Sequence, residues 1–110
     1  MLFGGRSVDT NTKGEEMRNK IDYEWCCEEW TCDRSDVLEN YFMESVVDCY
    51  KVAKDLQTFS IVLRRNVWNE HEGQLAESYA YVDDGKLPVE FDCGAKVPKR
   101  FTVELQKALS

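Results

Sequence analysis

Residues 20–30 alternate strictly, and that alternation is the strongest constraint on the fold. Ile21, Tyr23, Trp25 and Cys27 fall on one side, and Asp22, Glu24, Cys26 and Glu28 on the other. A period of two places successive side chains on opposite faces of a strand. The segment therefore predicts a half-buried strand whose outer face is acidic. The residues that follow, Cys32-Asp33-Arg34-Ser35-Asp36, have turn composition. Residues 37–43 then return as a second strand and close a hairpin.

Ser45, with Asp48 three residues on, marks a helix start. Cys49, Val52, Ala53 and Leu56 recur at helical spacing and predict a helix running to about Leu56. Residues 58–68 alternate again, with Phe59, Ile61 and Leu63 opposed to Ser60, Val62 and Arg64. A loop is predicted over residues 69–74. A fourth strand follows over 76–82, with Tyr79 and Tyr81 on one face, and then an Asp83-Asp84-Gly85-Lys86 turn. Pro98 suits the first position of a last helix, whose apolar face is Phe101, Leu105, Ala108 and Leu109.

The predicted class is α+β: β-β-α-β-β-α, with a four-stranded antiparallel sheet of order 2-1-3-4 and a helix packed on one face. The second helix packs on that same face or at the sheet edge. Residues 1–19 lack periodicity and read as a flexible N-terminal arm, and 20–110 as a single α+β domain.

Charge is distributed unevenly. Residues 9–56 hold thirteen acids and six bases, the whole net charge of −7, while the remainder holds eight of each. An acidic face of this kind repels free nucleic acid, which needs a basic patch. No apolar run approaches a membrane span, and the N-terminus lacks a signal-peptide core, so a cytoplasmic protein is expected.

The candidate chemistry is sparse. Five cysteines, Cys26, Cys27, Cys32, Cys49 and Cys93, form an odd set without paired knuckles. Cys26 and Cys27 are adjacent, so on a strand they point apart, against joint chelation. Cys27 and Cys49 fall on apolar stripes. The lone His71 sits in a polar loop, and neither a nucleophile elbow nor a phosphate loop is present. The expectation is a non-enzymatic protein without catalytic, cofactor or metal residues.

The candidate partner surface is the acidic hairpin: Asp22, Glu24, Glu28, Glu29, Asp33, Asp36 and Glu39. Its bland counterpart is a face that serves solubility alone. Trp30 and Trp68, at strand ends, are candidate interface aromatics, weighed against partly buried packing. Lys96, Lys99 and Arg100 open the last helix, where bases oppose the dipole; an ordinary solvated cluster is the first reading, weighed against an acidic contact within the chain or in a second copy. The expected partner is a basic protein surface, such as that of a nucleic-acid-binding protein, with nucleic-acid mimicry as one form of that reading. The alternatives are self-assembly as a homodimer, through a sheet edge or exposed Trp, and a thiol-based metal or redox protein.

Residues 79–88, Tyr-Ala-Tyr-Val-Asp-Asp-Gly-Lys-Leu-Pro, and 96–101, Lys-Val-Pro-Lys-Arg-Phe, resemble segments of small acidic accessory proteins encoded by bacteriophages. The β-β-α-β-β element order and the acidity are similar too. The resemblance spans roughly the last 90 residues as a pattern and carries no functional residue. It implies a protein that binds and inhibits or redirects a host protein, in the host cytoplasm.

Overall fold

A computed structural model describes residues 19–110. The elements are β1 (Asn19–Trp30), β2 (Val37–Met43), α1 (Val46–Ala53), β3 (Phe59–Asn69), β4 (Gln74–Tyr81) and α2 (Lys99–Leu109). The sheet is antiparallel with order β2-β1-β3-β4, as predicted from the element order and short connections. The arm expected over residues 1–19 lies, but for Asn19, outside the described residues. Two compact units are distinguished. Within the described residues, one comprises Asn19 to Asp22 with Asn66–Glu77, and the other Tyr23–Arg65 with Ser78–Ser110.

The larger unit holds the core. Trp25 and Cys27 of β1, Ile61 and Leu63 of β3 and Ala80 of β4 meet Val46, Cys49 and Ala53 of α1 and Leu105 of α2. Both helices therefore cover the same sheet face. Each strand supplies every second residue to that face, which is the consequence of the two-residue period. The second face is also partly closed, because Cys26 and Val62 are buried there without belonging to the helix-side cluster.

Several boundaries differ from the sequence reading. Helix α1 ends at Ala53 rather than near Leu56. After it, Asp55 N–H donates to Val52 O and Leu56 N–H to Ala53 O, three-residue spans that tighten the last turn and bring the chain back toward β3. Strand β4 begins at Gln74, since Gly73 at φ 64° completes the turn alone. Pro98 stands at the N-cap of α2, extended at φ −60° and ψ 138°, one position before the predicted one. Leu109 is exposed, while Phe101, Leu105 and Ala108 pack inward. In the 83–86 turn, Asp84 (φ 54°) and Gly85 (φ 74°) are both left-handed, the geometry that favours Asp-Gly.

The smaller unit is the β3–β4 hairpin end with the start of β1. Asn69 Oδ1 accepts the Glu72 N–H at 3.2 Å, and Lys20 lies 3.9 Å from Glu70. His71 and Trp68 are exposed there. No helix among the described residues is long and apolar enough to cross a membrane.

Candidate protein-docking hairpin

The β1–β2 hairpin collects most of the predicted acidic residues, and its turn is built by one of them. The Asp33 carboxylate accepts the Thr31 and Ser35 hydroxyls, each at 2.7 Å, and the Ser35 N–H at 3.1 Å. Those donors favour the ionised form and hold its pKa down to about 2. Thr31 N–H donates to Asp36 O and closes the loop at 2.9 Å. Arg34 takes a left-handed φ of 60°. Its guanidinium lies 5.3 Å from the centre of the Trp30 ring, and Nη2 donates to Ser60 Oγ at 2.6 Å. The single base of residues 28–39 is thus folded back on the sheet.

The other acids do not share one face. Glu24 and Glu28 lie on the face away from the helices. Glu24 meets Arg64 at 3.8 Å, and Glu28 Oε2 accepts the Tyr81 hydroxyl at 3.2 Å. Burial, followed by that carboxylate, raises the Tyr81 pKa to about 12. Glu29 and Glu39 lie directly opposite each other across the strand pair. Glu29 accepts the Tyr41 hydroxyl at 3.1 Å. Asp33, Asp36 and Glu39 are exposed. Asp22 belongs to the smaller unit, as does the exposed Trp68, while Trp30 is half-buried in the larger one.

Sequence reasoning missed the apolar part of this surface. Leu38 is 59% exposed and Phe42 47%, beside the exposed Val37. Arg64 of β3 reaches over the Phe42 ring at 4.7 Å and lies 5.8 Å from that of Tyr79, linking β2 to β4 across the second sheet face. The signal was present in the β2 sequence. Val37-Leu38 and Tyr41-Phe42-Met43 put apolar side chains on both faces of one strand, unlike the clean alternation of β1.

The basic cluster has a different setting. Arg100 packs over Tyr23 and Phe101 at 5.6 and 4.7 Å. Lys96 and Lys99 line a groove of about 400 Å³ with Leu87, Val89 and Val97.

All five cysteines are free thiols. Cys26, Cys27 and Cys49 are buried, and burial, the largest cause in each case, lifts their pKa values to about 12, 11 and 12. Cys32 and Cys93 are exposed. Hydrogen bonds from the Ser78 hydroxyl and the Ala95 N–H, with Arg65 nearby, lower the Cys93 pKa. Among the described residues, no three His, Cys, Asp or Glu side chains converge as metal ligands. Brief iodoacetamide treatment of the native protein should label Cys93 and Cys32 only, because the thiolate is the reactive form. Peptide mapping checks this. Labelling of Cys49 at the rate of Cys32 would contradict its placement.

Comparison with protein-family models, curated proteins and solved structures gave no match for the chain.

Proposed function

We propose that this chain is a non-enzymatic binding protein that docks its β1–β2 hairpin on a basic protein surface. By the resemblance to phage accessory proteins, its task is inhibition or redirection of a host nucleic-acid-binding protein. The observation that carries the reading is the pairing of exposed Leu38 and Phe42 with a rim of carboxylates. Apolar residues within a polar rim are the usual anatomy of a protein interface. Residues 28–39 hold five acids and one base, and that base, Arg34, is occupied by Trp30 and Ser60. Rim charges of one sign accelerate encounter with a basic partner and reject acidic ones.

The test uses the immobilised chain and lysate of the native host. A specific partner should elute as salt rises from 0.1 to 0.5 M, since exposed charges are screened within about 10 Å at the lower value. The Asp36→Lys/Glu39→Lys variant changes two exposed acids outside the packed core and should capture at least about tenfold less. Equal capture by that variant would refute the reading.

A further inference from the structure

We propose that the outer edge of β2 takes up an extended, basic segment of the partner as a fifth strand. The inference rests on the docking function above and adds how the partner is held.

Among the described residues, β2 is the outermost strand on its side of the sheet. An edge strand presents a row of main-chain donors and acceptors that a further strand can satisfy. The register defines how much of the edge is regular. Pairs run from Trp25↔Met43 to Glu29↔Glu39 and resume at Trp30↔Val37, which leaves Leu38 as the extra residue of a bulge. The regular edge is therefore the stretch from Glu39 to Met43. Its direction follows from the ladder. The Trp30 N–H donates to Thr58 O on the β3 side, so by alternation the Glu28 N–H points there too, and Glu28↔Asn40 is a pair without mutual backbone bonds. The Asn40 N–H then faces outward, where it meets the Glu39 carboxylate at 3.3 Å. Strand alternation points the Phe42 N–H the same way. The strand's sequence, Val-Leu-Glu-Asn-Tyr-Phe-Met, contains neither the lysine nor the proline that commonly protects an edge.

Charge selects the occupant. Glu29 and Glu39 form a like-charged cross-strand pair, an unfavourable arrangement. A lysine or arginine on an added strand, in the row beside Glu39, would relieve it. On the opposite face the neighbouring row holds Phe42, which suits an apolar residue. The fitting segment thus alternates basic and apolar side chains. A second copy pairing through β2 would bring no base, because β2 has none, and would add further carboxylates to the row.

The probe is a synthetic heptapeptide of alternating lysine and valine, capped at both ends. Titration into the full chain should protect the Asn40 and Phe42 amides from hydrogen exchange. A peptide N-methylated at its pairing amides keeps the charge and removes the donors, and should bind at least about tenfold more weakly. Asn40→Pro should have a similar effect while retaining the native circular dichroism, since proline is tolerated where an edge N–H faces outward. Equal binding by the N-methylated peptide would overturn strand addition while leaving charge-led docking intact. Failure of the lysine–valine peptide to protect those amides would also overturn it. So would a concentration-dependent dimer abolished by Asn40→Pro, which would assign the edge to a second copy. Failure of the docking reading is seen separately, in the Asp36→Lys/Glu39→Lys capture.

Discussion

Trp25→Ala is expected to cost about 3–5 kcal/mol of folding stability, the range for removing a buried indole. The ring is 1% exposed and lies at the junction of β1 and both helices. It meets Phe101 edge-on, with centroids 6.1 Å apart and planes at 78°, and its Nε1–H donates to Glu104 at 3.1 Å. Alanine removes the packing surface and leaves a cavity that a sheet and two helices cannot both collapse into. A domain of this size has about 5–15 kcal/mol in total, so the variant would lose a large fraction of its stability. Trp25→Phe separates the two contributions, because it keeps most of the ring and removes the donor. Its expected cost is about 1–3 kcal/mol, with the carboxylate left short of a partner. Urea unfolding followed by circular dichroism measures both, and an unchanged slope would show that the midpoint shift reports stability. A cost below about 1 kcal/mol for Trp25→Ala would mean that this junction is not the centre of the core.

The strands could be read from sequence because their information is local. The alternation of Tyr23, Trp25 and Cys27 with Glu24, Cys26 and Glu28 fixes both the element and its core face. Asp84-Gly85 takes the positive-φ pair that Asp-Gly favours in a tight turn. Cys26 shows where local information ends. Alternation sets it among the acids, where it does lie, yet it is buried, donating to Asn40 Oδ1 at 3.8 Å opposite Phe42. Burial on that second face depends on the β2 register and on Arg64 extending over Phe42, which no window of one strand reveals. The docking surface divides in the same way. Its carboxylates are visible in composition, whereas the regular outer edge requires knowing that Leu38 is the bulged residue and that the Asn40 amide faces outward.

Glu104 is the extreme case of a non-local residue, and its removal should rank with that of Trp25. In sequence it is one acid on a mostly polar helix. In the fold its Oε1 accepts the Trp25 indole, 79 residues away, and its Oε2 accepts the Val46 N–H at 3.0 Å. Val46 opens α1, so this carboxylate meets one of the amides that a helix start leaves without an internal partner, while Ser45 Oγ meets that of Asp48 at 3.2 Å. A negative group there is also favoured by the helix dipole. One side chain of α2 thus ties together β1, α1 and α2. Glu104→Ala strands both donors and should cost about 2–4 kcal/mol, against less than about 0.5 kcal/mol for an exposed glutamate. Glu104→Gln keeps one acceptor oxygen but turns its amide toward the other donor, so an intermediate loss is expected. A double-mutant cycle with Trp25→Phe isolates the indole bond, with an expected coupling of about 0.5–3 kcal/mol. Zero coupling would show that Trp25 is held by packing alone, and would leave the Val46 amide as the group that requires Glu104.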